Sequence, residues 1–245
     1  MLKQYQRTGS VTVPVVNMTV RLPDIPGLRG GGGIGGILDG LPSFGTGGSS
    51  GGGKSVSGSQ ALSTLNSLPV KGRAPKTGYS RDQFGSAWTD KAKNVAMAGN
   101  GCDTRNDILK RDLTNVTLDR NKCTVLSGTL KDPYTGKTIN FQRGPESAKV
   151  QIDHIIALGN AWVTGAQQLS KDQRTSLAND PLNLVAVDGP ANGQKSDGDA
   201  ATWLPPNKGA RCSYAVAQVN VKKKYNLWVT APEKNALTQV LSRCG

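Results

Sequence analysis

The chain has 245 residues with 30 Lys+Arg against 17 Asp+Glu, a formal net charge of +13, and a single histidine. No apolar run approaches the roughly 18 residues a helical membrane span needs, so nothing in the sequence crosses a bilayer that way. Four cysteines without a Cys-x-x-Cys pair, and no second histidine to complete a Cys/His site, argue against structural zinc.

Residues 1–26 form a short segment of unknown role. It has no apolar run of signal-peptide length, because Pro14 interrupts Val11–Val16. The alternation over residues 10–20 predicts a short strand that pairs with another chain, so a protein partner for the N-terminal segment is expected. Fifteen of the 31 glycines fall between Gly27 and Gly58, which predicts a flexible Gly/Ser linker over 27–60. A lead-in over 61–77 and one domain over 78–245 follow, the folded part starting between Gln60 and Tyr79. That length is enough for one hydrophobic core.

Ser80 is a suitable N-cap for a helix carrying Phe84 and Trp88 on one face. Asp103–Leu113 reads as a helix with Ile108 and Leu109 inside and Arg105, Lys110 and Arg111 outside. Thr124–Leu130 and Lys137–Phe141 read as strands joined by Asp132-Pro133-Tyr134-Thr135-Gly136, a turn ending in a glycine suited to a left-handed position. Val150 and Ile152 start a strand that ends at Asp153-His154. Ile155–Leu169 is helical in pattern, anchored by Trp162. A second helix is capped by Ser170 and stops before Pro181. Leu182–Val187 is a short buried strand, and Asn192 opens a helix running towards Trp203. Thr230-Ala231-Pro232-Glu233 is a capping box, followed by an amphipathic helix whose apolar stripe is Leu237, Val240, Leu241 and Cys244.

An even number of widely spaced cysteines points to two disulfides and an oxidising compartment, with four buried thiols as the alternative. Three connectivities are possible. Cys102–Cys123 with Cys212–Cys244 is favoured because each pair brackets a local unit, and each bridge is worth roughly 3 kcal/mol in the chain-entropy model.

The central region carries the chemistry: Asp153-His154 at a strand end, Asn183, then Asn192-Gly193-Gln194-Lys195-Ser196-Asp197. Phosphodiester hydrolysis needs an activated water and positive charge where negative charge develops. A neutral imidazole suits deprotonation of water near neutral pH. Asp153 and the amide oxygen of Asn192 are hard ligands for a divalent cation. Asn183 is placed to hydrogen-bond the histidine-bearing loop, and Lys195, one turn after Asn192, to touch a phosphate. Among the basic residues, Arg105 and the run Lys222-Lys223-Lys224 are further candidates for nucleic-acid contact.

These residues resemble the HNH (ββα-metal) nuclease motif in the variant whose last metal ligand is Asn, as in the HNH domain of RNA-guided CRISPR nucleases. The wider frame is Gly101-Cys102-Asp103-Thr104-Arg105-Asn106, Arg111-Asp112-Leu113, the Asp132–Gly136 turn, Asp180-Pro181-Leu182-Asn183-Leu184 and Thr202-Trp203-Leu204-Pro205-Pro206. It resembles the actinobacterial secreted HNH proteins, which share a domain with the C-terminal part of GmrSD-type restriction endonucleases. The resemblance spans about Gly78 to Cys244. It implies an α+β fold with a ββα-metal core over about 148–204, and secretion. It also implies His154 as general base, Asp153 and Asn192 holding Mg2+ or Mn2+, and Asn183 orienting the loop. The implied reaction is metal-dependent hydrolysis of DNA, or of RNA as well, with 5′-phosphate products; little sequence specificity is expected, because no recognition helix or appended DNA-reading module is visible in the sequence. A nuclease toxin or phage-associated nuclease delivered through the N-terminal segment, and a non-catalytic DNA-binding module, are the rival readings. The four tryptophans, Trp88, Trp162, Trp203 and Trp228, are expected mostly in the core.

Overall fold

The computed structural model describes residues 10–13, 18–21 and 58–244. Near the N-terminus, β1 (Ser10–Val13) and β2 (Met18–Arg21) pair antiparallel, with Ser10 opposite Arg21. The one strand expected over 10–20 is therefore two that pair with each other. Pro14, which has no N–H for a ladder, separates them in sequence. Residues 27–57 of the expected linker lie outside the described residues.

The body is a mixed α+β structure. Helix α1 (Gly58–Ser67) buries Ala61 and Leu65, so the stretch expected as lead-in belongs to the folded unit. Helix α2 (Thr104–Asp112) is capped by Asp103, whose side chain accepts from the Asn106 N–H. It runs directly into β3 (Leu113–Leu118), which pairs with β4 (Val125–Lys131), which in turn pairs with β5 (Thr138–Gln142). The β4–β5 turn is fixed as its residues dictate. The Asp132 carboxylate accepts from the backbone of Tyr134 and Thr135, and Gly136 sits at φ 78°.

A second, two-stranded sheet pairs β6 (Val150–His154) with β7 (Leu184–Asp188), His154 opposite Leu184. Between the two strands lie α3 (Leu158–Val163) and α4 (Lys171–Asn179). Helix α5 (Gly189–Lys195) follows β7 at once, giving a strand–strand–helix order. The ribbon is buried on both faces. Val150, Ile152, Leu184 and Ala186 pack with Ile108, Leu109 and Phe141, whereas Val185 and Val187 pack with Tyr134, Ala191 and Tyr214. Successive strand residues face opposite sides, which is why Leu184–Val187 reads as an unbroken apolar run. Helices α6 (Arg211–Lys224) and α7 (Ala231–Leu241) close the body, with Val219, Leu237 and Leu241 packed on Ala61 and Leu65 of α1. No helix among the described residues is long and apolar enough to cross a membrane.

Three further expected elements differ. The helix from Ser80 is only a 3-10 turn, Arg81–Phe84; Ser80 makes no side-chain cap and Gly85 ends the turn at φ 78°. The long helix over Ile155–Leu169 shortens to α3 because Gly165, at φ 131°, breaks the pattern. Helix α5 is capped by Asp188, which accepts from the Ala191 N–H, and Pro190 occupies its first turn. Asn192 therefore lies inside the helix instead of opening it, and Ser196 at φ 47° ends it before Trp203.

Both disulfides form in the favoured pairing, Cys102–Cys123 and Cys212–Cys244, with Cα–Cα separations of 5.2 and 5.7 Å. The second ties the start of α6 to the residues just after α7, where Gly58 packs so closely that an added Cβ would meet Cys244. Replacing Cys212 and Cys244 together by serine should cost about 2–5 kcal/mol in a denaturant titration. An unchanged midpoint would mean that α7 is held by packing alone.

Candidate active site

His154 ends β6 and is 9% exposed. Its Nε2 lies 2.9 Å from the carbonyl oxygen of Ala178, near the end of α4. A carbonyl can only accept, so Nε2 carries the proton and Nδ1 is the basic nitrogen of the neutral ring. The ring lies nearly parallel to Trp88, at 17° with centroids 5.8 Å apart. Burial lowers the imidazole pKa to about 4, against the opposing Ala178 hydrogen bond and with help from Arg81 and Lys195. The side chain is thus neutral at physiological pH, the state a general base requires.

Asn183 holds this arrangement. It lies in the 3-10 turn Pro181–Asn183, one residue before β7, whereas the expected strand over Leu182–Val187 included it. Its backbone oxygen accepts from Ile155 N at 2.8 Å and its Oδ1 from Ile156 N at 2.8 Å. Its Nδ2 donates to the carbonyls of Ile156 and Leu177. One fully buried amide therefore ties the segment after His154 to the residue before Ala178, whose carbonyl fixes the imidazole. Arg111 clamps the same turn from α2 by donating to Pro181 O at 2.8 Å and Leu184 O at 2.7 Å. Asp112 accepts from Ala186 N beside it.

Asp153 faces the other side of the ribbon. Its Oδ1 accepts from Lys195 Nζ at 2.9 Å and its Oδ2 from the Tyr134 hydroxyl at 2.5 Å. Lys195 Nζ also donates to the His154 carbonyl at 2.8 Å. Burial pushes the carboxyl pKa up, while Lys195 and Tyr134 hold it down. The expectation that Lys195 touches a phosphate is corrected here. Its side chain is fully buried, because α5 packs the face carrying Lys195 onto the ribbon and Asp153 neutralises it.

Asn192 does not meet Asp153; its Nδ2 donates to Gln151 Oε1 at 2.9 Å. With both Asp153 oxygens engaged and Asn192 turned to Gln151, these side chains do not fit a cation seat shared between them. Among the described residues no group of three or more His, Cys, Asp or Glu is placed to hold a metal.

The other expected nucleic-acid contacts divide. Lys222 is buried in an ion pair with Glu233 at 3.0 Å and donates to Trp228 O, which corrects the expectation that it contacts nucleic acid. Lys223 is exposed, whereas Lys224 pairs with Asp180 at 2.6 Å. Arg105 is half-buried with its guanidinium 5.9 Å from the Phe141 ring centroid, and burial disfavours its charge.

A cavity of about 290 Å3 opens beside His154, lined by Arg81, Phe84, Trp88, Leu158 and Asn179 among others. Arg81 and Trp88 were not expected at the site. Trp88 reads in sequence as one more core aromatic, and Arg81 sits in a stretch that reads as an ordinary helix start. Tyr134 was visible only as part of the Asp132–Gly136 turn.

Residues 103–240 match the family described as GmrSD restriction endonucleases, C-terminal domain. The chain belongs to this family. It is also 39% identical over 190 residues to a protein of Arthroderma benhamiae named "Uncharacterized secreted protein", covering 77% of this chain and 86% of the relative. No solved structure matches it.

The buried neutral imidazole has a consequence for stability. An unfolded histidine titrates near 6.5, so between that value and about 4 the folded chain binds fewer protons. Its contribution is fully present above about pH 6.5 and is lost as pH falls towards 4. At about 1.4 kcal/mol per pH unit, lowering the pH from 7 to 4.5 should cost wild type roughly 2–3 kcal/mol more than His154→Gln. Denaturant titrations of both proteins at the two pH values measure the difference; equal losses would mean that the ring titrates freely.

Proposed function

We propose that this chain is a secreted endonuclease that hydrolyses phosphodiester bonds of DNA, with RNA as a second substrate of the same site. The observation that carries this reading is His154: a neutral imidazole whose Nε2–H is held by Ala178 O, leaving Nδ1 free on a ring that lines a cavity. Membership of a restriction-endonuclease domain family supports it. So does the net charge of +13, which favours polyanions. Two disulfides and the name of the fungal relative support an extracellular setting.

In this reading Nδ1 takes a proton from water as the water oxygen bonds to phosphorus and the P–O3′ bond breaks, the departing O3′ taking up a proton from solvent, giving 5′-phosphate and 3′-hydroxyl ends. Asn183 and Arg111 set the position of the ring. Sequence specificity is expected to be low, because the basic charge this reading relies on acts on the phosphate backbone, which carries no sequence information.

Plasmid and oligonucleotide cleavage with magnesium, manganese or EDTA tests the reading. Nicking by wild type supports the nuclease, and its response to magnesium, manganese and EDTA shows whether a divalent cation takes part. Salt-dependent DNA binding without cleavage under any condition would overturn it in favour of a binding module.

A further inference from the structure

The walls of the His154 cavity have features that a hydrophobic core does not require. Trp88 adopts φ 57°, a left-handed backbone conformation that is a genuine outlier for a bulky residue. The strain is held in place by Thr104, whose N–H donates to Trp88 O at 3.1 Å and whose hydroxyl donates to Thr89 O. What the strained conformation achieves is the parallel placement of the indole on His154. Arg81 lines the same cavity, is exposed, and makes no hydrogen bond or ion pair among the described residues. Its neighbour Asp82 also lines the rim, so the positive field there is local to the guanidinium. Asn179, 2% exposed, contributes to the wall; its Nδ2 donates to Thr175 O, and its buried Oδ1 has no partner.

We infer that this cavity is a subsite for one unstacked nucleotide, with the phosphate on Arg81 beside His154 and the base or sugar against Trp88. The inference rests on the phosphodiesterase reading above and adds to it the form of the substrate. A guanidinium suits a phosphate because it presents parallel N–H donors to two oxygens. An indole wall suits a base of any sequence, since every base has a π-face. The volume, near the lower end of ordinary small-molecule sites, admits one nucleoside and not a stacked pair. Lys195 and Lys222 are both buried, and Arg81 is the cation among the described residues that line this cavity. A single strand or a frayed end enters such a pocket at no unpairing cost, whereas a duplex must flip a nucleotide first.

The test uses the full chain as wild type, Arg81→Gln and Arg81→Lys. A deoxynucleoside 3′,5′-bisphosphate, which contains no diester to cleave, is titrated calorimetrically. Cleavage is then compared on one oligonucleotide presented as a single strand and as a duplex. Arg81→Gln should weaken bisphosphate binding and raise KM for the single strand by about 10–100-fold, as loss of a charged hydrogen-bond pair does. Its thermal midpoint should be unchanged, Arg81→Lys should recover part of the affinity, and the single strand should be cut at least ~10-fold faster than the duplex. Unchanged binding and KM in Arg81→Gln, or equal rates on both substrates, would overturn the subsite while leaving the nuclease standing. No cleavage by wild type, with bisphosphate binding still dependent on Arg81, would remove the nuclease reading and leave the nucleotide site.

Discussion

Replacing His154 with alanine should slow phosphodiester hydrolysis by roughly 10²–10⁴-fold, the usual contribution of a positioned general base. The loss should appear in kcat, because the proton moves only as the transition state forms. Truncating a buried ring also removes packing against Trp88, so His154→Ala alone would confound chemistry with folding. His154→Gln separates the two, since its amide can still donate to the Ala178 carbonyl while offering no nitrogen base. A variant that stays folded with kcat down by two orders of magnitude identifies the base. A glutamine variant retaining more than about a tenth of wild-type kcat would show that another group activates the water. There is no second histidine to take over.

The second large effect concerns stability. Lys195→Met should destabilise the chain by about 3–5 kcal/mol, because it leaves the Asp153 carboxylate, 5% exposed, without its cation. The Tyr134 hydroxyl remains, but a neutral donor does not neutralise a buried charge. Adding Asp153→Leu should restore most of the loss, since a buried ion pair contributes little over apolar residues of similar volume. Denaturant midpoints of the two single variants and the double variant form the cycle. A cost below about 0.5 kcal/mol for Lys195→Met would place the ammonium in solvent and return it to the list of phosphate contacts.

Much of this fold is readable from local signals. The caps at Asp103, Ser170 and Thr230, the glycine-ended turn at Gly136 and the strand ending in Asp153-His154 all stand where their chemistry puts them. Both disulfide pairings follow from cysteines that bracket local units. Strand β3 escaped because it continues from α2 with no turn residue between, so no boundary signal exists at Asp112–Leu113. The site was legible in its members but not in its geometry. Adjacent residues on a strand point to opposite faces, so Asp153 and His154 separate as soon as both faces of the ribbon are buried. Lysines 195 and 222 look like any helical surface lysine in sequence, and only the carboxylates of Asp153 and Glu233, 42 residues back and 11 ahead, turn them inward. Trp88 acquires its role from a left-handed backbone that no residue pattern announces.

The close contact of Gly58 with Cys244 places the first and last described residues of the body side by side, held there by the bond from Cys244 to Cys212. A body whose ends meet is topologically a loop, and it should tolerate being opened elsewhere. A circular permutant that joins Cys244 to Gly58 through a few glycines, with new termini in the exposed Arg120–Lys122 turn, should keep the same core and the same imidazole environment.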